Sequence, residues 1–403
     1  MPPASRSPIQ LPGSRRAVVI GAGSFGTAIA ILLARCGLRT TLQAHTPEQA
    51  DGLQRHRENC AYLPGIPLPR ELRIAHIGTG LARADYVFLG VPSPGLGEVI
   101  ASLDQREFSP RAAVVCLAKG LVPPHGTPPT VLLSRRFGAH RVACLGGPAH
   151  AREMVSEGAA LVAASTDREL ACALADIFIR AGVVCEQSDD PIGVELAGVA
   201  KNAAALASGA TESQGLNAAG AAAGHIFAEV WRWAQAQGAR PESMIGLAGT
   251  GDLVATALAP ESRNRGAGEL LAQGIPTREI PARVGQAVEA LETVPLLATA
   301  MACADIDPPV TTALAQLIQG ELPLEDWIAV VRTTVPPPAR GRSVLRRGFW
   351  LRLADWLRGL FKRRRHDDQQ PRTGDGTASP ARATTTVELA SRPDEPELRP
   401  RRF

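Results

Sequence analysis

Two lysines stand apart in a chain that otherwise takes its positive charge from arginine. The 403 residues include 40 arginines but only three lysines, at 119, 201 and 362. A guanidinium does not release its proton near neutral pH, whereas an ammonium can, so Lys119 and Lys201 are candidates for proton transfer. Lys201 is followed by Asn202 at the end of Gly193-Val194-Glu195-Leu196-Ala197-Gly198-Val199-Ala200. Read from the residues alone, a lysine midway along such an Ala-rich helix points to solvent. Further on, Ala248-Gly249-Thr250-Gly251-Asp252-Leu253 sets a carboxylate after a glycine turn, and Ser262-Arg263-Asn264-Arg265 gathers a hydroxyl, guanidinium forks and an amide suited to phosphate.

A second kind of chemistry is written at the N-terminal end. Gly21-Ala22-Gly23-Ser24-Phe25-Gly26 has the G-x-G-x-x-G spacing, in which the first glycine makes the turn, the second admits a pyrophosphate and the third lets helix pack on strand. The pattern alone arises in many Gly-rich loops. Here an apolar run at 17–20 precedes it and helical density over 27–35 follows, the context of a dinucleotide site. An acid binding the ribose 2′-hydroxyl of NAD is expected about 20 residues on, but the chain reads Gln43-Ala44-His45-Thr46 and its first carboxylate is Glu48. His45 either faces a 2′-phosphate, leaning towards NADP, or is a solvated loop histidine. The expected cofactor is therefore NAD or NADP.

These groups need elements to position them. Short apolar runs recur at 40–42, 86–91, 112–117, 141–145, 159–163 and 183–185, and their alternation with helical segments predicts a doubly wound parallel sheet over roughly the first 190 residues. Leu89-Gly90-Val91-Pro92-Ser93, Leu117-Ala118-Lys119-Gly120-Leu121 and Gly146-Gly147-Pro148-Ala149-His150 follow three of those runs, at the sheet edge where such folds bind ligands. From Pro191 the chain turns Ala-rich, with helices expected over 193–210, 218–237 and 285–302. The expected divisions are an arm at 1–14, a dinucleotide-binding domain at 15–190, a helical substrate domain at 191–335 and a basic Pro/Arg-rich tail at 336–403. Seven cysteines without a C-x-x-C pair read as reduced cytoplasmic thiols, and no metal site is expected. Neither a signal peptide nor an 18-residue apolar span is present, and cytoplasmic placement follows as an expectation.

The ordered set GAGSFGTA, REN…YLPGI, GVP, AKGL, GGP, GVELAG..KN, AG.GDL and SRNR resembles the NAD(P)-dependent glycerol-3-phosphate dehydrogenases over about residues 17–295. The resemblance implies a Rossmann-like α/β domain followed by an all-α domain of the 6-phosphogluconate dehydrogenase type. It implies reversible reduction of dihydroxyacetone phosphate to sn-glycerol 3-phosphate, supplying phospholipid synthesis, with Lys201 as general acid/base. Lys119, Gly147, Ala149, Asn202, Asp252, Thr256, Ser262, Arg263 and Asn264 would bind substrate. Gly21, Gly23, Ser24, Phe25, Gly26, His45, Lys119, Ala151, Arg263, Ala287 and Glu289 would bind the cofactor. The chain departs from the family pattern at Ala149, where a Ser or Thr hydroxyl is usual, at His45 in place of an arginine, at Gln43 in place of an aromatic, and over 218–225, which has lost its larger residues.

The stretch 331–403 carries 17 Lys and Arg against 8 acids, while residues 1–330 carry 26 against 31. Within it, Phe349, Trp350, Leu353, Trp356, Leu357, Leu360 and Phe361 repeat at helical spacing over 348–365 beside Arg352, Arg358 and Lys362. That is the pattern of an interfacial helix, expected either at the inner face of an anionic membrane or packed on protein. No nucleic-acid partner is expected, because no binding module accompanies the arginines; a homodimer is compatible with the chain. Two other functions fit the same architecture: a ketopantoate reductase-like enzyme, which the phosphate cluster disfavours, and a catalytically weakened nucleotide-binding paralogue acting as a membrane-associated scaffold or sensor.

Overall fold

A computed structural model describes residues 15–335 except 79, 105–108, 260 and 261. The arm at 1–14 and the tail, with the helix expected over 348–365, lie outside the described residues. Among the described residues ten strands form: β1 (Arg16–Ile20), β2 (Arg39–Ala44), β3 (Glu58–Asn59), β4 (Leu63–Pro67), β5 (Arg73–His76), β6 (Tyr86–Leu89), β7 (Ala113–Cys116), β8 (Val142–Gly146), β9 (Ala160–Ala164) and β10 (Val184–Ser188). Eight make one sheet in the order β10-β9-β8-β7-β6-β1-β2-β5, while β3 and β4 pair as a separate hairpin. β6, β7 and β8 are buried along their whole length. Covering both faces of a strand with helices requires side chains that are apolar throughout, which is why these strands read as unbroken runs.

The strands from β5 across to β8 are parallel, as expected. β9 instead runs antiparallel to β8, and β10 runs parallel to β9, so the sheet is mixed at that edge. Between β8 and β9 lies a helix of six residues, Ala151–Ser156, which turns the chain back beside β8; a parallel return needs a longer crossover. The winding reverses between β1 and β6. At such a switch point the carboxyl ends of the strands open a crevice for ligands.

The helical half is organised by one helix, Pro191–Thr211, in which nearly every residue is buried. Pro191 suits its first turn, and the Asp190 carboxylate caps it, accepting from Gly193 N at 2.9 Å, Arg240 N at 2.8 Å and Ser243 Oγ at 2.7 Å. Its alanines and glycines let neighbours close in on all sides, among them helices Leu216–Ala236 and Arg263–Ala272 and strand β8. The tightest approach is glycine on glycine. A Cβ on Gly209 would collide with the carbonyl oxygen of Arg265, and one on Gly268 with that of Leu206. Buried glutamates add directional ties: Glu195 accepts from Thr130 N and Oγ1 at the start of helix Pro129–Phe137, and Glu229 accepts from Val310 N, Thr311 N and Thr311 Oγ1 at the start of helix Pro309–Gln319. Burial pushes the Glu195 carboxyl up to about 8 despite the Thr130 donors. The helix expected over 285–302 begins at Glu289, because Gly285 takes a left-handed conformation that ends the preceding helix Ile280–Val284.

Two glycines on helix Arg263–Ala272 give opposite predictions. Gly268→Ala lowers unfolding free energy by about 2 kcal/mol or more, since the two backbones must separate. Gly266 has nothing within 4 Å of its Cβ position, so Gly266→Ala is stabilising by about 0.5–1 kcal/mol through helix propensity. Urea unfolding of the two variants reads both signs; equal effects would remove the close-packing argument.

Candidate active site

The crevice begins at the turn after β1. Gly21 has φ +107°, and a Cβ there would collide with the carbonyl oxygen of Gly90 after β6. Gly26 packs its Cα side against the carbonyl of Gly21, bringing helix Ser24–Arg35 close under the turn. Gly23, by contrast, faces space with nothing within 4 Å of a Cβ position, and the helix N-terminus has no side-chain cap. Free N–H groups beside open space are what a dinucleotide's pyrophosphate requires, so these residues fit one. His45 is exposed just beyond β2. Gln43 is fully buried and its Oε1 accepts from Gly78 N at 3.1 Å, a structural task that explains a polar residue inside a strand.

On the facing side two ammonium groups share one carboxylate. Lys119, just past β7, donates to the carbonyl oxygen of Gly147 at 3.1 Å and to Asp252 Oδ2 at 2.6 Å. Lys201 Nζ lies 3.5 Å from Asp252 Oδ1. Asp252, 1% exposed, opens helix Asp252–Leu258 after the wide turn Leu247–Gly251, and Thr256 Oγ1 lies 3.5 Å from its Oδ1 one helical turn on. Lys119 Nζ also stands 5.8 Å from the ring centroid of Phe25, within cation–π range, which joins this cluster to the glycine turn.

Burial favours the uncharged amine of Lys201, and the neighbouring Lys119 charge adds to that; Asp252 and Glu289 oppose them without winning, and the ammonium falls to about 8. Burial alone would raise the Asp252 carboxyl, but Lys119 and Lys201 override it and hold it below the usual range. The solvent-facing position read for Lys201 from its residues is thus corrected: it is 8% exposed. A helix packed on all sides leaves no face for a lysine to reach water.

Asn202 knits the surrounding segments. Its Nδ2 donates to the carbonyl oxygen of Lys119 at 3.0 Å and lies 3.5 Å from Glu289 Oε2, while its Oδ1 accepts from Asn264 Nδ2 at 2.8 Å. Asn264 Oδ1 in turn accepts from Ala290 N at 3.4 Å. Ser262 caps helix Arg263–Ala272, accepting from Arg265 N at 3.4 Å. Arg263 is exposed and its Nη1 donates to Gln286 Oε1 at 3.0 Å. Burial raises the Glu289 carboxyl, with Arg263 and Lys201 pulling the other way. Ala149 is buried after Gly147, Ala151 starts the short helix beyond, and Ala287 is exposed beside Gln286.

Arg265, although part of the cluster read from the sequence, turns away to Glu212 and Glu269. Gln286, which the sequence reading did not single out, is the polar neighbour that meets Arg263; it stands three residues before Glu289. Among the described residues no group of His, Cys, Asp and Glu could hold a metal ion. Burial raises the thiols of Cys116 and Cys144 well above the ordinary value, which leaves them inert.

The profile of the NAD-dependent glycerol-3-phosphate dehydrogenase N-terminus matches residues 16–171, and that of its C-terminus matches residues 190–329. The chain belongs to this family. It is 40% identical over 308 residues to a glycerol-3-phosphate dehydrogenase [NAD(P)+] of Deinococcus radiodurans, covering 75% of this chain and 90% of that protein. It is 35% identical over 329 residues to the one from Chlorobium luteolum, covering 80% and 98%. The crystal structure of the Coxiella burnetii glycerol-3-phosphate dehydrogenase superposes with a TM-score of 0.75 at 28% identity, over 80% of this chain and all of that one. A ketopantoate reductase from Ralstonia eutropha, 19% identical with a TM-score of 0.53 over 78% and 99%, shares the fold alone. The C-terminal match begins one residue before helix Pro191–Thr211, where the sheet gives way to helices.

The unequal lysines can be read directly. With only three lysines in the chain, ε-13C-lysine labelling gives three NMR signals, of which the Lys201 signal titrates at about 8. Asp252 raises the Lys201 value, so Asp252→Asn moves that midpoint lower. A Lys201 midpoint in the ordinary lysine range would contradict the charge arrangement.

Proposed function

We propose that this member of the family reduces dihydroxyacetone phosphate reversibly to sn-glycerol 3-phosphate with NADH or NADPH, feeding phospholipid synthesis. The observation that carries the reading is the buried Asp252 carboxylate held between Lys119 and Lys201, across from the glycine turn. A bound nicotinamide supplies the hydride to the carbonyl carbon in reduction. Lys201 gives its proton to the carbonyl oxygen as negative charge develops there, and in the reverse direction its neutral amine takes the hydroxyl proton. An ammonium near 8 can be loaded and unloaded at neutral pH, which suits one residue to both directions.

Lys119, fixed by Asp252 and the Gly147 carbonyl, orients the substrate oxygen with Thr256 and the backbone near Ala149. Ser262, Arg263 and Asn264 sit at the N-terminus of a ten-residue helix, where N–H groups and dipole favour the substrate phosphate. Arg263 exchanges its bond to Gln286 for that phosphate and for the cofactor, beside Glu289. Asn202, whose amide is committed to Lys119, Asn264 and Glu289, aligns those segments. Gly21, Gly23, Ser24, Phe25 and Gly26 hold the pyrophosphate, with Ala151 and Ala287 along the cofactor and His45 at its adenosine ribose. On this reading residues 15–190 bind dinucleotide and 191–335 complete the substrate site.

The segment 348–365, whose spacing predicts an interfacial helix, has no place in this chemistry. Its tryptophan stripe and cationic flank suit an anionic membrane, where a lipid precursor is consumed. No helix among the described residues is long and apolar enough to cross a membrane.

Two outcomes are expected. Oxidation of NADH or NADPH by dihydroxyacetone phosphate falls roughly 10²-fold or more in Lys201→Ala, and turnover that survives the substitution would remove the assigned proton donor. In co-sedimentation, the full chain binds vesicles containing anionic lipid, and the Trp350→Ser/Trp356→Ser variant does not; equal binding would remove the membrane role.

A further inference from the structure

The segment Arg57-Glu58-Asn59, with Tyr62-Leu63-Pro64-Gly65-Ile66 after it, has no part in the chemistry above. It forms the β3–β4 hairpin, and its Asn59 is buried at 3% exposure against the cofactor turn. Asn59 Nδ2 donates to the carbonyl oxygen of Ala22 at 2.9 Å and to Thr27 Oγ1 at 2.7 Å, which uses both of its amide hydrogens. A second amide reaches the same carbonyl from another element: Gln49 Nε2 donates to Ala22 O at 3.2 Å. The other end of Gln49 accepts from the backbone N–H of His45 at 3.0 Å. The hairpin is held in turn by Arg152, whose Nη2 donates to the carbonyl oxygen of Pro64 at 2.6 Å from the helix that starts at Ala151.

The Ala22 carbonyl and the Gly23 N–H belong to one peptide plane. That plane is trans, so the two groups point in opposite directions. Turning the plane over changes ψ of Ala22 and φ of Gly23, and a glycine on its C-terminal side accepts either sign of φ at little cost. Turned over, it would set a carbonyl oxygen where an anion needs a donor. Two amides on one carbonyl oppose that rotation and hold the Gly23 N–H on the opposite side of the plane, at a residue whose Cβ position is open.

We infer that Asn59 and Gln49 are positioning residues for the dinucleotide. They fix the Ala22-Gly23 peptide so that its N–H meets the pyrophosphate, and Gln49 extends the constraint to the backbone of His45 at the adenosine end. Neither side chain touches the reacting atoms. The inference rests on the reading that the Gly21–Gly26 turn binds NAD(P).

The test is the dissociation constant of NADH and NADPH, followed by nicotinamide fluorescence in the full-length protein, beside steady-state kinetics. Asn59→Ala and Gln49→Ala each raise that constant by about tenfold, while kcat at saturating cofactor stays within about twofold. Asn59→Asp, which loses both donors and sets an acid against a carbonyl, weakens binding further. Thr27→Val, which keeps the Ala22 contact, weakens it less. A purely structural role would lower the unfolding midpoint and the active fraction while leaving the dissociation constant of the folded enzyme unchanged; that result overturns the inference. Gln49 is only half-buried, so Gln49→Ala decides the matter should Asn59→Ala not fold. A wild-type protein that binds neither dinucleotide would overturn the underlying reading and this inference together, whereas normal wild-type binding with an unaltered Gln49→Ala removes this inference alone.

Discussion

The Asp252 carboxylate is the charge on which the site depends. One buried anion faces two cations, and the sharing is uneven: Lys119 holds the short bond at 2.6 Å and Lys201 the long one at 3.5 Å. An isolated carboxylate at 1% exposure would carry a heavy desolvation cost, which the paired ammonium groups offset. The same geometry separates two chemically identical side chains. Lys119 is tied to Asp252 and to a backbone carbonyl, while Lys201 keeps a weaker hold and a proton that leaves near neutral pH.

That arrangement requires segments far apart in the chain to meet within a few ångströms, and backbone packing makes the meeting possible. Gly209 and Gly268 let helix Arg263–Ala272 lie against helix Pro191–Thr211, which brings Asn264 to Asn202 and so sets Ser262, Arg263 and Asn264 on the Lys201 side of the helix pair. Asn202 then ties both helices to the strand end at Lys119 and to the start of helix Glu289–Cys303. The sheet supplies the other wall. Its switch point between β1 and β6 sets the glycine turn opposite the lysines, with Phe25 and Lys119 facing each other across the gap.

Much of this was legible in the sequence because burial leaves a local mark. Strands covered on both faces show as apolar runs, and β1, β2, β6, β7, β8, β9 and β10 fall on those read from the chain. The direction of β9 and β10 was not legible, since alternation is the same in a strand run either way and only the length of the connection hints at the reversal. β5 and the β3–β4 hairpin were missed: Arg73-Ile74-Ala75-His76 is too short and polar to stand out, and prolines interrupt β4. Lys201 shows where local reading fails. Its neighbours argue for an exposed helical face, and the burial that tunes it comes from helices whose approach depends on glycines elsewhere. The same holds for Arg265, turned away by Glu212 and Glu269, and for Gln286, whose partner is distant in sequence.

The central claim is that Lys201 exchanges the proton of the reaction from a pKa of about 8 set by its surroundings. The most direct measurement is kcat/KM for dihydroxyacetone phosphate against pH at saturating reduced cofactor, with the oxidation of glycerol 3-phosphate followed over the same range. Reduction needs the ammonium and falls as pH rises through about 8, while oxidation needs the free amine and rises through the same value. A reduction rate that stays level well above that pH would contradict the account.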